Sequence, residues 1–346
     1  MQKTMKALAK TGPRPGAELI EVPIPSLKPG DALIRVRAAS ICGTDQHIYE
    51  WNEWAQNRIK TPMIFGHELA GDVVAIGDAV QGIKVGDFVS AETHVVCGVC
   101  YQCRTGNAHI CQNLTILGVD IPGVFAEYVA VPAQNLIIND PSMPADWASV
   151  QEPMGNAVHT TLSGDIVGKT VALFGTGPIG LIAVAVARAC GAERIIAIDV
   201  NDYRLNIAKQ MGAFLTINAK EQDPVQAIFD VTGGEGADVF LEMSGAPSAL
   251  TQGFKALRFG GWAGLLGLPA KPVTLDVTNG IVFKGATVYG ISGRRMYDTW
   301  YKTNALLRGR RVDLGPVITH TFPLAEFEKG FELMHSGQCG KVILQP

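Results

Sequence analysis

The sequence predicts an α/β protein of two domains: a doubly wound parallel sheet and a mostly-β domain. Three observations predict this architecture. The 346 residues exceed the size at which one hydrophobic core usually stops growing. Residues 5–153 contain short β-like runs broken by glycine and proline. Residues 169–291 alternate strand-like and helix-like runs, which is typical of a parallel sheet. The predicted domains are residues 1–153 with 295–346, and residues 154–294.

Composition and charge narrow the class of protein. The chain is 47% apolar and 18% charged, with a formal net charge of −3, and no basic stripe indicates a nucleic-acid partner. The first residues, MQKTMKALAKTGPRPG, lack the apolar core of an export signal, so the expected location is the cytoplasm. Residues 170–187 carry no charge, but their glycines favour a strand, a turn and a buried helix over a membrane span. We therefore expect no membrane partner.

Four of the seven cysteines lie in the segment CGVCYQCRTGNAHIC, residues 97–111. In a reducing cytoplasm, clustered thiols indicate a metal before disulfides. The Cys-x2-Cys-x2-Cys run brings three sulfurs together from one loop, and the fourth closes the site. Four thiolates leave zinc no open position, so we expect a structural metal; an iron–sulfur cluster or two disulfides are the alternatives. The predicted ligands are Cys97, Cys100, Cys103 and Cys111.

A second group of candidate metal ligands lies in three separate segments. Cys42 lies in ICGTDQHIYEW, His67 and Glu68 lie in FGHELAGDVVAIGDAV, and Glu152 lies in QEPMGNAVHT. A mixed set of a thiol, an imidazole and carboxylates is typical of a catalytic zinc that keeps a position open for substrate. Each residue alone also fits a structural role, such as a buried thiol, a core histidine or a carboxylate at the start of a helix.

Residues 169–204 carry the pattern of a dinucleotide-binding unit. A predicted strand leads into a G-x-G-x-x-G motif formed by Gly175, Gly177 and Gly180, and an apolar helix follows. Glycines at these positions let the backbone approach a pyrophosphate at the helix N-terminus, where free N–H groups and the helix dipole favour an anion. The surrounding strand and helix make this motif a specific signal for a bound nucleotide.

A carboxylate after the second predicted strand bears on which nucleotide binds. Asp199 lies nineteen residues after Gly180, where an acidic residue accepts hydrogen bonds from the adenosine ribose. It would also repel a 2′-phosphate, so the sequence predicts NAD rather than NADP. Arg204 complicates this prediction because a guanidinium pairs with phosphate; it could equally lie along the adenine or face solvent.

Together these segments resemble the zinc-dependent medium-chain dehydrogenase/reductase family over essentially the whole chain. The segment GHELAGDVVAIGDAV, residues 66–80, matches the zinc signature of that family, and the four clustered cysteines stand where the family has a structural zinc. The resemblance implies a GroES-like catalytic domain, a Rossmann NAD-binding domain and two zinc ions per chain, one catalytic and one structural. It implies Cys42 and His67 as catalytic-zinc ligands, with Glu68 or Glu152 as a third ligand or the two in exchange.

Four segments, CGTDQHIYEWNEWA, EPMGNAVHT, EMSGAP and GISGRRMYDTWYK, resemble family members that act on L-threonine. This resemblance implies a homotetramer that oxidises the secondary alcohol of L-threonine to 2-amino-3-oxobutanoate, with NAD as acceptor. A zinc-dependent dehydrogenase of polyols or simple secondary alcohols is one alternative. A nucleotide-binding protein without enzymatic activity is another. A zwitterionic substrate needs a cation for its carboxylate, whereas a polyol needs none.

Individual polar residues are candidates for roles in this chemistry. By the resemblance, Thr44 accepts the alcohol proton and passes it through a cofactor hydroxyl to His47, which opens to water. Glu152 could act as a base or hold the substrate ammonium, and Arg294 and His94 are candidates for the substrate pocket. The alternatives are a helix cap for Thr44 and exposed surface positions for His47 and Arg294. The other residues that the resemblance implies for cofactor binding are Ile179, Leu266, Gly267, Leu268, Ile291 and Ser292.

Overall fold

The computed structural model describes residues 3–346. Within that range the chain forms two compact units, each with its own sheet and hydrophobic core. Among these residues, no helix is long and apolar enough to cross a membrane. The first unit contains the chain up to Glu152 with Arg295–Trp300 and Ile318–Pro346, and the second contains Pro153–Arg294 with Tyr301–Val317.

The division differs from the expected one at residues 301–317. We expected these residues in the first domain with the rest of the carboxyl-terminal part, but they belong to the second unit. Val312, Leu314 and Val317 are buried, so the segment contributes to a core and is not an exposed linker. The boundary falls inside a helix, Asp298–Arg308. A boundary within a helix leaves no glycine or proline signal in the sequence.

The elements are numbered in chain order. The strands are β1 (Thr4–Lys10), β2 (Glu18–Pro23), β3 (Asp31–Ser40), β4 (Met63–Ile64), β5 (Glu68–Ile76), β6 (Phe88–Ala91), β7 (His94–Val95), β8 (Thr115–Ile116), β9 (Tyr128–Pro132), β10 (Leu136–Ile138), β11 (Thr170–Phe174), β12 (Arg194–Asp199), β13 (Leu215–Asn218), β14 (Ala237–Glu242), β15 (Leu257–Leu265), β16 (Thr287–Gly290), β17 (Ile318–Pro323) and β18 (Lys341–Gln345). The helices are α1 (Gly43–Glu50), α2 (Glu53–Arg58), α3 (Tyr101–Arg104), α4 (Ala145–Ser149), α5 (Gln151–Thr161), α6 (Pro178–Ala189), α7 (Asp202–Met211), α8 (Pro224–Val231), α9 (Pro247–Ala256), α10 (Asp298–Arg308) and α11 (Phe327–Ser336).

The first unit is mostly β, as predicted. Its largest sheet has the order β10-β6-β5-β3-β18-β17, with β9 also paired to β3, and a smaller sheet has the order β2-β1-β4. Along β3, Ile34 and Val36 are buried whereas Arg35 is exposed, which is the alternation of a strand with one face in the core. The antiparallel register of β3 and β5 sets Ser40 opposite Glu68. This register brings the candidate metal ligands at the two strand ends close together.

The second unit confirms the predicted doubly wound sheet. Its six parallel strands have the order β13-β12-β11-β14-β15-β16. The chain runs outward from β11 through β12 to β13, and then returns to the other side of β11 for the remaining strands. Strand order therefore reverses between β11 and β14, which is where sheets of this kind bind ligands. The five residues of β11 are all buried, as expected for a strand that is covered on both faces.

A buried lysine joins β1 to the end of α1. The Lys10 side chain is 1% exposed, and its Nζ lies 5.1 Å from the centroid of the Trp51 ring. Nζ donates hydrogen bonds to the carbonyl oxygens of Gly16 (2.7 Å) and Tyr49 (3.1 Å). Burial lowers the pKa of Lys10 to about 8, and the charge of Arg14 adds to this effect. A neutral amine still has two N–H groups for these two carbonyls.

We predict that Lys10→Met changes how stability depends on pH. The pKa of Lys10 in the folded chain, about 8, lies below its usual value of 10.5, so the unfolded chain binds more protons between these two values. The wild-type protein should therefore gain stability relative to the variant as the pH rises from about 8 to about 10.5. Thermal midpoints across this range test the prediction. Lys6→Met, an exposed change on the same strand, is the control, and a parallel response of wild type and Lys10→Met would contradict it.

Candidate metal centres and nucleotide site

The first unit brings three predicted metal ligands together. Ligand atoms of Cys42, His67 and Glu68 lie within 4.8 Å of one another. Cys42 follows β3 and Glu68 begins β5, so the pairing of these strands places the two residues side by side. His67 and Glu68 are buried, and Cys42 is partly exposed. A buried set of one thiol, one imidazole and one carboxylate fits a zinc ion with one position left open.

Asp45 fixes the position of two of these ligands. Its carboxylate is fully buried, Oδ2 accepts a hydrogen bond from the Cys42 backbone N–H (2.8 Å), and Oδ1 lies 3.5 Å from Nδ1 of His67. A carboxylate behind a histidine ligand orients the ring and leaves the other nitrogen for a metal. Burial lowers the pKa of His67, but the charges of Asp45 and Cys42 raise it well above its usual value. Asp45 was not among the predicted site residues, although an acidic residue three positions after a helix N-cap is a recognisable signal.

Glu68 also has partners within the protein. Its carboxylate pairs with Nζ of Lys341, at 2.6 Å from Oε1, and accepts a hydrogen bond from the Ser40 hydroxyl. Burial lowers the pKa of Lys341, but the charge of Glu68 raises it above its usual value, so Lys341 is an ammonium ion. Burial raises the pKa of Glu68, Lys341 limits the rise, and the charge of Glu152 adds to it. Lys341 was not among the predicted site residues, because its pairing with Glu68 depends on two strands that are distant in sequence.

Glu152 lies close to this group and is held separately. Its Oε1 accepts a hydrogen bond from the Thr93 hydroxyl (3.2 Å), and its charge acts on Glu68. It stands outside the three residues whose ligand atoms meet, so a role as a base or as a partner of the substrate stays a prediction. His94, a candidate for the substrate pocket, follows Thr93 in the sequence and lies on β7. Its backbone N–H donates to Oε1 of Glu92 (2.9 Å).

The two predicted relay residues lie on α1. Thr44 Oγ1 is 4.0 Å from Cys42 Sγ, and His47 lies one turn further along the helix, on the same face. Cys42 occupies the N-cap position of α1, so Thr44 is not the cap. Thr44 is partly buried and His47 is exposed. A proton path from a metal centre to water requires this order, with the hydroxyl on the inside and the imidazole on the outside. The relay itself stays a prediction.

The four clustered cysteines form a compact group. Their Sγ atoms are 3.5 Å apart for Cys100 and Cys103, 3.7 Å for Cys100 and Cys111, and 3.5 Å for Cys97 and Cys111. Disulfide sulfurs are about 2.05 Å apart. Thiolates around zinc, at about 2.3 Å from the metal, are about 3.8 Å from one another. The alternative of two disulfides is therefore wrong, and all seven cysteines, each within the described residues, are free thiols.

Hydrogen-bond donors prepare these sulfurs for a metal. The Cys100 backbone N–H donates to Cys97 Sγ (3.4 Å), and the Cys97 N–H donates to Cys111 Sγ (3.5 Å). Hydrogen bonds, first from the Val99 backbone N–H, lower the pKa of Cys97 to about 6. Burial raises the pKa of Cys103 to about 12. Thiolate is the form that ligates zinc, so a loop that stabilises thiolate at Cys97 fits a structural metal.

The predicted nucleotide-binding residues gather at the carboxyl ends of the parallel strands of the second unit. Gly175 follows β11, Asp199 ends β12, and Gly177 is the N-cap of α6. This cap has no side-chain hydrogen bond, so the first N–H groups of α6 are available to an anion. The remaining predicted residues lie in the first turn of α6 or directly after β15 and β16: Ile179, Gly180, Leu266, Gly267, Leu268, Ile291 and Ser292.

Close approach of the backbone explains the glycine pattern. Gly175 has φ +98°, in the left-handed region that favours glycine. A Cβ on Gly180 would lie 1.9 Å from the carbonyl oxygen of Gly175, and a Cβ on Gly267 would lie 2.1 Å from the Gly245 nitrogen. No heavy atom lies within 4 Å of a Cβ built on Gly177, among the described residues. The helix N-terminus thus faces open space, as a bound pyrophosphate would require.

The two residues that bear on the choice of nucleotide both lie at this edge. Asp199 Oδ2 accepts hydrogen bonds from the backbone N–H (2.6 Å) and hydroxyl (2.9 Å) of Thr176 in the glycine turn. The Arg204 backbone N–H donates to Oδ1 of Asn201 (3.3 Å). The buried Nε of the Arg204 side chain has no hydrogen-bond partner among residues 3–346. A carboxylate that holds the turn and a guanidinium five residues further along the chain leave both NAD and NADP as candidates.

Arg294 is buried, with 1% of its surface exposed, so the alternative of a solvated surface arginine is wrong. A Cβ on Gly155 of α5 would lie 2.8 Å from Cγ and Cδ of Arg294, which shows that the arginine stem crosses the helix at this glycine. Nη1 donates to Oδ1 of Asn156 at 3.4 Å. Its role toward a substrate carboxylate stays a prediction.

The chain matches known proteins over its whole length. Residues 28–141 match the family Alcohol dehydrogenase GroES-like domain, and residues 178–308 match the family Zinc-binding dehydrogenase. The chain is 56% identical over 342 residues to the L-threonine 3-dehydrogenase of Bacillus subtilis (strain 168), covering 99% of each chain. It is 53% identical over 344 residues to the L-threonine 3-dehydrogenase of Pyrococcus horikoshii, again covering 99% of each.

Solved structures show the same fold. A protein of Sinorhizobium meliloti 1021, described as a zinc-binding dehydrogenase bound to NADP, has a TM-score of 0.92 at 28% identity, with both chains fully covered. A protein of Escherichia coli CFT073, described as an alcohol dehydrogenase complexed with NADH, has a TM-score of 0.91 at 29% identity, also with both chains fully covered. The similarity therefore extends through both compact units.

We predict that Cys111→Ser removes about one zinc ion per chain, because a serine hydroxyl is a poor substitute for a thiolate ligand. Loss of the metal should also loosen residues 97–111 and make them a preferred site of proteolysis. Metal analysis and limited proteolysis of zinc-replete protein test this. Cys190→Ser, at a thiol outside both ligand groups, is the control. An unchanged zinc content in Cys111→Ser would contradict the prediction.

Proposed function

Because the chain belongs to the zinc-dependent medium-chain dehydrogenase/reductase family, we propose that it oxidises L-threonine to 2-amino-3-oxobutanoate with NAD as hydride acceptor. The observation that carries the proposal is full-length identity above 50% to proteins named L-threonine 3-dehydrogenase from bacteria and archaea. The grouped side chains of Cys42, His67 and Glu68 support it, since they supply a metal site of the kind that activates an alcohol.

The residues of the first unit have distinct tasks in this reaction. Cys42, His67 and Glu68 would hold a zinc ion, and that ion would supply the Lewis acidity that makes an alcohol easier to deprotonate. Asp45 keeps His67 oriented as a ligand. The hydroxyl of Thr44 takes up the proton that the alcohol loses and gives up its own toward His47, and the exposed His47 releases a proton to water.

Two charged residues are candidates for recognising the amino acid. Glu152 is an acceptor for the substrate ammonium or a base, since it is a buried carboxylate whose Oε1 already accepts a hydrogen bond from the Thr93 hydroxyl. Arg294 is the candidate partner of the substrate carboxylate, because a guanidinium binds a carboxylate in a bidentate manner. A simple alcohol or a polyol has neither charge, so these two residues favour an amino-acid substrate over those alternatives.

We propose NAD as the cofactor and two zinc ions per chain. Asp199 supports NAD, since a carboxylate at the end of β12 would repel the 2′-phosphate of NADP. The two ligand groups, one with an open position and one of four thiols, support one catalytic and one structural zinc. The clustered free thiols support a cytoplasmic location, where cysteines stay reduced.

Purified zinc-replete protein tests the activity directly. We expect NADH formation with L-threonine and NAD to exceed that with sorbitol, with ethanol or with NADP, and a chelator to abolish it. Glu152→Gln should lower kcat by about 100-fold, a size typical of a lost acid–base group. Glu221→Gln, which changes an exposed carboxylate of the second unit, should leave kcat unchanged. Faster turnover of sorbitol or ethanol would refute the threonine assignment while keeping a zinc dehydrogenase.

We propose that the protein assembles as a homotetramer. In the second unit, β16 ends the described sheet, and Val282, Phe283 and Val288 expose apolar surface on and near it. In the first unit, Val99 and Tyr101 expose apolar surface among the clustered cysteines. A tetramer with three two-fold axes needs at least two different self-complementary surfaces, and these two patches fit that need.

We predict that Val288→Arg and Tyr101→Glu each halve the size of the assembly, because each places a charge in one apolar patch. The double variant should be monomeric, with a mass near the 36.9 kDa of one chain. Light scattering after size-exclusion chromatography measures these masses. Val167→Arg, at an exposed apolar residue outside both patches, is the control. A monomeric wild type, or a double variant that stays tetrameric, would contradict the proposal.

A further inference from the structure

Asn52 contacts His47, the outer residue of the proposed proton path, at two points. Its backbone N–H donates to the His47 carbonyl oxygen (3.3 Å). Its side-chain Nδ2 lies 2.9 Å from Nδ1 of the His47 ring. Asn52 is also the N-cap of α2, where its Oδ1 accepts a hydrogen bond from the Ala55 backbone N–H (3.0 Å). One side chain thus connects the start of α2 to the imidazole on α1.

The capping bond determines which way the Asn52 amide faces. A backbone N–H only donates, so the atom that faces Ala55 is the carbonyl oxygen Oδ1. The atom that faces His47 is therefore the NH2 group, which also only donates. Nδ1 of His47 must accept this bond, so it carries no proton in the neutral ring. The proton of the neutral ring then lies on Nε2.

We propose that Asn52 is a positioning residue that holds neutral His47 in the Nε2–H tautomer and so decides how the ring takes up a proton. In this tautomer Nε2 donates, and the lone pair of the ring faces Asn52. A proton that arrives can form an N–H bond only at Nδ1, where it displaces the hydrogen bond from Asn52 and gives an imidazolium. The imidazolium returns to neutral by losing one proton to water. Proton uptake by His47 is thereby coupled to the cap of α2.

Charged and aromatic groups of α1, α2 and α11 lie near the His47 ring. Glu50 lies one turn further along α1, and its carboxylate is 3.1 Å from Nδ1 of His335 on α11. The hydrogen bond from Gln46 is the first cause of a lowered pKa for Glu50, and the charge of His47 contributes to it. The Trp54 ring of α2 lies 6.3 Å from the His47 ring. The hydrogen bond to Nδ1 of His47 comes from Asn52.

Two substitutions change the partner of Nδ1 and keep the cap. Asn, Asp and Ser cap helices about equally well, so Asn52→Asp and Asn52→Ser both preserve α2. The Asp carboxylate only accepts hydrogen bonds, so it should draw the proton to Nδ1 and leave Nε2 unprotonated. The Ser hydroxyl removes the amide donor, so the ring should populate both tautomers. Asn57→Asp is the control: it introduces the same charge on α2, at a side chain that donates to the Glu53 carbonyl (2.9 Å).

Nitrogen NMR of protein labelled with 15N-histidine reads the tautomer, at a pH where the ring is neutral and with His47→Gln for assignment. In the wild type and in Asn57→Asp, we expect the Nδ1 signal of an unprotonated nitrogen and the Nε2 signal of a protonated one. Asn52→Asp should exchange the two positions. Equal thermal midpoints across the set would show that the fold is kept. A wild-type ring protonated at Nδ1, or an Asn52→Asp ring that keeps the wild-type pattern, would overturn the inference.

The link to proton transfer rests on the proposed function and has its own measurement. A carboxylate at position 52 stabilises the imidazolium, so the acidic limb of the kcat/KM profile for L-threonine should move to higher pH in Asn52→Asp and stay in place in Asn57→Asp. A reversed tautomer with an unmoved profile would overturn the link. The tautomer is read without substrate. A protein that shows the expected tautomers and oxidises no L-threonine would therefore refute the proposed function and leave the tautomer assignment standing.

Discussion

A buried ion pair between Lys341 and Glu68 organises the first unit. It joins β18 to β5 across β3, and the hydroxyl of Ser40, on the strand between them, completes the cluster. The buried carboxylate of Asp45, which accepts a hydrogen bond from the Cys42 backbone N–H, adds a second acidic group to the same unit. Burial of charge is tolerated only where opposite charge is near, and loss of one partner of such a pair costs about 3–5 kcal/mol. The lysine offsets one charge, and a divalent cation suits the remainder.

Both units place their predicted ligand-binding residues where strands end, by different means. In the first unit, an antiparallel register brings Cys42 and Glu68 together from two neighbouring strands. In the second, parallel strands deliver the glycine turn after β11 and the carboxylate after β12 to a single edge. The antiparallel arrangement gives a small enclosed group suited to an ion. The parallel arrangement gives an extended edge with a free helix N-terminus, suited to a long anionic molecule.

The sequence was informative where chemistry depends on local spacing. The cysteine cluster and the glycine motif each lie within a short segment, and the chain folded these segments as their spacing predicts. It was uninformative where partners are distant. Lys341 and Glu68 are 273 positions apart, and no local pattern links them. The sequence did not predict the burial of Arg294 for a similar reason, since the space for its stem is made by Gly155 of α5, which is distant in sequence. Asp45 is the exception, because an acidic residue three positions after Cys42 is a local signal for the start of a helix.

The contact between Gly180 and Gly175 limits how this protein can evolve. With only 1.9 Å between a Cβ at position 180 and the carbonyl oxygen at 175, position 180 has no room for even the smallest side chain. The nearby strand ends are less constrained, because Asp199 and Arg204 are partly exposed. The two residues predicted to bear on cofactor preference therefore have more freedom to vary than position 180. Drift or directed evolution toward another nucleotide has to keep the glycine at that position.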